Sequence, residues 1–167
     1  MRAEIRSGHA RPERKLAVCS GGISLSPEDR AELLAVLAAD ADATIAERAR
    51  SVLVTLLPES FLVAIGRPDA DARLFKYSAD QIGDKPGVAD ALAKNEACPA
   101  ALVTRVARHL TAAGIQALLD NMERLSSDEH LATALVQSQG ATAEQQALLA
   151  EIHKNEPIPA KDLEDAA

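Results

Sequence analysis

The sequence contains very few aromatic residues: two phenylalanines, one tyrosine and no tryptophan among 167 residues. Apolar residues nevertheless make up 47% of the chain, and alanine and leucine dominate that fraction. Strands favour aromatic and β-branched side chains, whereas alanine and leucine are among the best helix formers. The composition therefore predicts an all-α fold, with small side chains between closely spaced helices.

Cysteine and long apolar runs are also scarce. Two cysteines, Cys19 and Cys98, are too few for a disulfide framework. No apolar run reaches the roughly 18–20 residues that a membrane-spanning helix needs. The apolar patch LAVC near the N-terminus is too short for a secretory signal. These absences favour a cytoplasmic protein with no membrane contact.

Net charge is distributed unevenly along the chain. The net charge is −7, yet residues 1–22 hold five basic residues and two acidic ones. The remaining chain is therefore strongly acidic, which is a poor match for the phosphates of a nucleic acid. We expect residues 1–22 to be a basic mobile segment, residues 23–154 to be the folded domain and residues 155–167 to be an acidic mobile tail.

Residues 26–57 carry the signals of a helical hairpin. Ser26 can cap a first helix, and Pro27 suits the first helical position. Thr44 and Glu47 have the spacing of a capping box, which predicts the start of a second helix. Pro58 ends that helix. Both helices have an apolar stripe, so the hairpin needs a partner on each side.

The same layout recurs around Pro99 and around Thr142. In each place a helix-ending leucine is followed by a short turn and then by a helix start, so Pro99 begins a helix rather than breaking one. Ser126 and Glu129 also have capping-box spacing. Further helices are predicted over FLVAI at 61–65 and over residues 70–79 and 86–94.

The pattern as a whole predicts about nine helices in antiparallel hairpins whose starts lie some 26–32 residues apart. A single hairpin cannot bury its apolar faces, but stacked hairpins can. The arrangement favours a short right-handed helical-repeat solenoid. An alanine-rich four-helix bundle is the alternative, although its helices would be fewer and longer.

The stretch DADATIAERARSVL at 40–53 resembles a HEAT repeat. The matching residues are Asp40, Asp42, Ile45, Ala49 and Leu53. The family usually has arginine where this chain has Ala46, so a continuous Asp–Arg ladder is not predicted. Residues 25–153 also resemble uncharacterised bacterial HEAT-like proteins of the leucine-rich-repeat-variant type. The resemblance implies a scaffold that binds partners, and a minority of such proteins bind DNA or act as base-excision glycosylases.

No pattern of catalytic or metal-binding residues stands out. The soft and imidazole groups of the helical region lie far apart in the sequence and do not have the short spacings of metal ligands; they are Cys98, His109, His130 and His153. The pairs Asp40/Asp42 and Asp69/Asp71 precede predicted helices, where carboxylates act as caps. CSGG at 19–22 lacks the motif of a nucleophile elbow. We therefore predict no enzymatic activity, no metal and no cofactor.

Four polar side chains are the candidates for binding a partner. Arg105 and Arg108 lie three residues apart on one predicted helix, and Asn121 and Arg124 close the next. On a stacked solenoid they could share the concave face and meet an acidic partner. Phe61, Phe75 and Tyr77 are interpreted as core residues.

The function predicted from these features is a non-enzymatic protein–protein interaction or scaffold module. The first alternative is a HEAT-like DNA-binding or glycosylase-type protein, which the acidic body disfavours. The second is a purely structural module whose termini mediate self-assembly. A positive groove with a central carboxylate would favour the first alternative, and a large apolar surface patch would favour protein binding or self-assembly.

Overall fold

The computed structural model describes residues 1–154, and within them all regular secondary structure is helical. This confirms the predicted all-α fold. The helices are α1 (Arg2–Arg6), α2 (Pro12–Ser20), α3 (Pro27–Leu37), α4 (Ala43–Leu53), α5 (Pro58–Ile65), α6 (Ala72–Gln81), α7 (Val88–Lys94), α8 (Ala100–Val106), α9 (Ala112–Leu119), α10 (Met122–Ser126), α11 (Leu131–Val136) and α12 (Ala143–Lys154), with a 3-10 turn at Ala107–His109.

The described part of the chain has twelve α-helices, so the predicted count of nine is wrong. Two of the additional helices, α1 and α2, lie in the N-terminal segment. The third arises because one apolar stripe of the sequence, Ile115, Leu118, Leu119 and Met122, is divided between α9 and α10. Asn121 accepts a hydrogen bond from the backbone N–H of Arg124, and this cap starts α10 as a separate helix.

Residues 1–22 pack against the rest of the protein instead of forming the mobile segment that the sequence predicts. Ile5 of α1 is buried, and Val18 of α2 is buried as well. α1 packs against α3, and α2 packs against α3 and α4. The opposite charges of the two parts of the chain meet in ion pairs, which include Arg2–Glu32 and Lys15–Asp40. The predicted tail at 155–167 lies outside the described residues.

Several helices begin where the sequence predicts, although the capping residue is not always the predicted one. Ser26 caps α3 as predicted, by accepting from the N–H of Asp29. Pro99 is the N-cap of α8. Asp42, and not Thr44, caps α4. Thr142 and Gln145 exchange two hydrogen bonds at the start of α12, which is a capping box. Ser126 is the last residue of α10 and does not start a helix.

Alternate helices pack side by side along the chain. α3 contacts α1 and α5, and α7 contacts α5 and α9. A second set, α2 with α4 and α6 with α8, lies beside the first. α12 packs at one end against α9 and α11. A single apolar core runs through these layers from Ile5 to Leu149.

Within residues 1–154, no helix combines the length and the apolar character that crossing a lipid bilayer would require.

Asp71, the cap of α6, connects the N-terminal segment to this core. Its carboxylate accepts from the backbone and side chain of Arg73 and from the side chain of Arg6. Burial by itself raises the pKa of Asp71, but these hydrogen bonds outweigh burial and lower the pKa from 3.8 to about 2. The ionised carboxylate therefore stabilises the folded state.

This pKa predicts a specific loss of stability in acid. Because the pKa of Asp71 is lower in the folded state, its contribution is complete above the unfolded value near 4 and is lost as the pH falls towards 2. We expect Asp71→Asn, which keeps a good helix cap, to be less stable than the parent at pH 6 and nearly equal to it at about pH 2. Urea unfolding of both proteins across this range measures the difference. A constant gap between them would contradict the prediction.

Candidate functional site

A surface groove lies between α4 and α6. Both helices pack against α3, but they are not closely packed against each other. The end of α3 and the turn after it present only small side chains there, those of Ala35, Ala38 and Ala39. Because alanine fills little space, the gap between α4 and α6 stays open. The groove has a volume of about 370 Å³.

A second cavity of about 210 Å³ adjoins this groove at the start of α5. The two cavities share Val54, Tyr77 and Gln81 in their walls, so they lie side by side, and we call them together the α4–α6 groove. The second cavity is lined mainly by apolar side chains, which include Leu53, Leu56, Pro58, Phe61 and Ile82.

Apolar side chains are exposed along this groove. Val54 is 79% exposed and forms part of the wall, and Leu57, beside the lining residues Leu56 and Pro58, is 70% exposed. The ring of Tyr77 stacks on Phe61 with 5.8 Å between the ring centroids. Burial raises the pKa of Tyr77, so its hydroxyl stays protonated at neutral pH. Tyr77 is half-buried in the wall, and not in the core as predicted; Phe61 and Phe75 are core residues.

The walls carry four basic residues and one acidic residue: Arg50, Arg73, Lys76, Lys85 and Asp80. Arg50 donates to the carbonyl of Ala38, and Arg73 pairs with Asp71. Asp80 pairs with Arg105 of α8 at 2.7 Å. Among the described residues, the side chains of Lys76 and Lys85 have no hydrogen-bonding or ion-pair partner, and both residues are exposed. The groove therefore carries unneutralised positive charge on a chain whose net charge is −7.

The structure separates the four residues predicted to bind a partner. Arg105 is exposed and lies at the end of the α4–α6 groove through its ion pair with Asp80. Arg108 donates to the ring of His109. Asn121 caps α10 and contacts Glu96. Of these side chains, Arg105 is the one that the structure connects to the groove.

Arg124 lies in the interior of the protein and not on its surface. Its side chain is buried, and its guanidinium donates to the carbonyls of Leu92 and Ala93 at the end of α7 and to that of Cys98 in the turn before α8. The first two are carbonyls that an α-helix leaves without partners at its C-terminus. A guanidinium held in this way is not available to an external acidic ligand, so the predicted surface role of Arg124 does not agree with its position.

Val54 and Tyr77 were not identified as site residues from the sequence, although one signal pointed to Val54. The apolar stripe of α4 runs through Ile45, Ala49 and Leu53, and Val54 falls outside that stripe. An apolar residue off the buried stripe indicates an exposed apolar position. No comparable signal marks Tyr77, because its exposure depends on the open space above the alanines of α3.

The cysteines and the possible metal ligands are the other chemically reactive groups of the described residues. Both cysteines are buried, and burial raises the pKa of Cys98 to about 11 and that of Cys19 above its usual value. Both thiols are therefore protonated at neutral pH. Within residues 1–154, no three His, Cys, Asp or Glu side chains are grouped so that they could hold a metal ion. Among these residues, the α4–α6 groove is the best candidate site.

Comparisons of the chain with protein-family models, with curated proteins and with solved structures found no match.

Proposed function

We propose that this chain is a non-enzymatic, cytoplasmic scaffold module that binds a segment of another protein in the α4–α6 groove, without a cofactor. The exposed apolar wall of that groove is the observation that carries the proposal. Contiguous exposed apolar surface rimmed by polar residues is typical of protein-interaction sites. Val54 and Tyr77 provide such a surface, with Lys76 at its edge.

The proposal includes a short right-handed HEAT-like solenoid as the architecture. Side-by-side packing of alternate helices supports it, because stacked hairpins produce that contact pattern. A recurring polar contact also supports it. Asn95 donates to the carbonyl of Ile65 at the end of α5, and Arg124 donates to that of Ala93 near the end of α7, at separations of 30 and 31 residues. Such regular spacing is expected when successive repeats brace one another in the same way.

The mechanism of binding would be a preformed shape. The backbone around the groove is helical, and the floor belongs to α3, whose residues from Ala31 to Leu37 are all buried. A partner that docks there orders little of this protein, so little conformational entropy is lost from its side of the complex.

A photo-crosslinking experiment tests the proposed function. Benzoylphenylalanine replaces Val54 in one protein and Leu148 of α12, which is 50% exposed, in a control protein. Each protein is irradiated in lysate of the source cells with and without nuclease. We expect position 54 to give a protein adduct that survives nuclease, and position 148 not to give that adduct. Mass spectrometry then identifies the adduct.

Three results would contradict the proposed function. The absence of any adduct at position 54 would argue against a partner at the groove. Loss of the adduct with nuclease would indicate a nucleic-acid ligand. An adduct with a second copy of this chain would indicate self-assembly instead of scaffolding.

DNA binding of the glycosylase type is the second candidate. It is favoured by the presence of Arg50, Arg73 and Lys76 around Asp80, next to the aromatic ring of Tyr77. Base-removing enzymes combine positive charge, aromatic stacking and a carboxylate in this manner. Against it, Asp80 is neutralised by Arg105, and Arg73 by Asp71.

A further inference from the structure

We infer that the occupant of the α4–α6 groove is an acidic peptide segment with an apolar anchor residue, contributed by a partner protein. This inference rests on the proposed function and adds the chemistry of the ligand. Its basis is the combination of two features in one groove: exposed apolar walls, and lysines that lack acidic partners in the described part of the chain.

The charge of the groove selects for acidic ligands. Lys76 and Lys85 lie at the two cavities that make up the groove, so a bound chain running from one cavity to the other passes both ammonium groups. The lining acid, Asp80, is already paired with Arg105. The chain as a whole has a net charge of −7, so an acidic segment is attracted only where positive charge is left unpaired. An acidic ligand is therefore steered to this place.

The apolar walls select for a hydrophobic anchor within that ligand. Val54 and Tyr77 belong to both cavities, and Phe61 and Ile82 extend the apolar lining towards α5 and the end of α6. A leucine or similar side chain placed there would cover Val54, which water otherwise reaches over 79% of its surface. Binding energy in peptide grooves is concentrated in such anchors.

The same residues fit a peptide better than a nucleic acid. One face of the Tyr77 ring is directed at Phe61, so at most one face is open to a base. Two of the three arginines at or beside the groove are already ion-paired, Arg73 with Asp71 and Arg105 with Asp80. Two free lysines provide little of the continuous positive track that follows a phosphate backbone.

Tyr77 provides a direct measurement, because it is the only tyrosine of the chain and tryptophan is absent. The probe is a nonapeptide of aspartate and glutamate with two central leucines, which has no fluorescence of its own in this range. It is titrated into the full-length protein while tyrosine emission is recorded. We expect a saturable change with a Kd below about 1 mM, and weaker binding as the salt concentration rises.

Matched variants of protein and probe locate the binding. We expect K76A/K85A to weaken the acidic peptide about tenfold or more, and K94A, an exposed lysine of α7 outside the groove, to change it less than twofold. Val54→Ser should weaken the peptide severalfold, as should replacing its leucines with alanine. Because all of these protein positions are exposed, the variants are expected to fold.

Three outcomes would overturn the inference. The first is the absence of a saturable change up to about 1 mM. The second is equal binding of a peptide in which lysines replace the acids. The third is tighter binding of a nine-residue oligothymidylate, which would assign the groove to nucleic acid. If benzoylphenylalanine at position 54 crosslinks to a protein but the acidic peptide does not bind, the proposed function stands and the inferred ligand chemistry is wrong.

Discussion

Replacing Arg124 with alanine is expected to lower the free energy of unfolding by about 3 kcal/mol. The guanidinium Nη2 donates to the carbonyls of Leu92 at 3.1 Å and Cys98 at 2.9 Å, and Nη1 donates to Ala93. Removing it leaves three buried acceptors, two at the end of α7 and one in the turn before α8, with no replacement donor. The positive charge of Arg124 also lies next to the negative end of the α7 dipole, and the substitution removes that favourable interaction as well.

The charge state of Arg124 makes this loss insensitive to pH. Burial lowers the pKa of Arg124 below its usual value of 12.5, yet an arginine remains protonated at any pH where the protein is folded. The guanidinium therefore keeps all its donors, and the loss should be the same at pH 6 and pH 8.

Arg105 provides the matched control for Arg124. It is an arginine of α8, but it is exposed and has one ion pair at the surface. We expect Arg105→Ala to change the free energy of unfolding by less than about 0.5 kcal/mol, since exposed pairs contribute little. Urea unfolding measures both variants. Arg124→Met, which fills space without donors, should stay close to Arg124→Ala. A loss at position 124 no larger than that at position 105 would contradict the assigned role.

Arg124 also shows why the sequence predicts helices better than it predicts surfaces. Caps and apolar spacing depend on neighbouring residues, so Ser26, Pro99 and Thr142 mark helix starts that the structure contains. The direction in which Arg124 points depends on the end of α7, about 30 residues earlier. No local pattern encodes which helix end lies opposite an arginine, and for this reason a buried bracing residue was interpreted as a surface one.

The candidate site was missed for a related reason. A groove is defined by helices that do not touch, and its open space depends on the small residues of α3 beneath α4 and α6. The sequence indicates that alanine is abundant, but it does not tell which alanines lie under a gap. The N-terminal segment was misjudged because its buried apolar residues are few and widely spaced, so they form no clear stripe; they are Ile5, Ala10, Val18 and Cys19. Its docking depends on charges from α3 and from the turn before α6.

The charge that matters most in this docking is that of Glu32, which is completely buried in α3. α3 is surrounded by α1, α2, α4, α5 and α6, so even its polar positions are shielded from water. Arg2 holds the carboxylate with two parallel hydrogen bonds, from Nε at 2.8 Å and from Nη2 at 3.0 Å, and its Nη1 binds Asp69 at 2.8 Å. These acids raise the pKa of Arg2.

We therefore expect Arg2→Ala to lower the free energy of unfolding by about 3 kcal/mol, because it leaves the buried Glu32 without a counter-charge. Arg14→Ala is the control: Arg14 pairs with Glu4 in the same segment, but half of each side chain is exposed, and the expected loss is less than about 0.5 kcal/mol. Adding Glu32→Met to Arg2→Met should recover most of the loss, since replacing both members of a buried pair is far less costly than removing one.

Hydrogen exchange distinguishes local release of α1 from global destabilisation in Arg2→Ala. If Arg2 fastens α1 to α3, the amide of Ile5, which donates to the carbonyl of Met1, should exchange much faster in the variant. The exchange rates of the amides of α9, which does not pack against α1, should then change only as much as the global stability changes. Unchanged protection at Ile5, together with an unfolding free energy equal to that of Arg14→Ala, would show that Glu32 does not depend on Arg2 and that α1 is held by its apolar contacts alone.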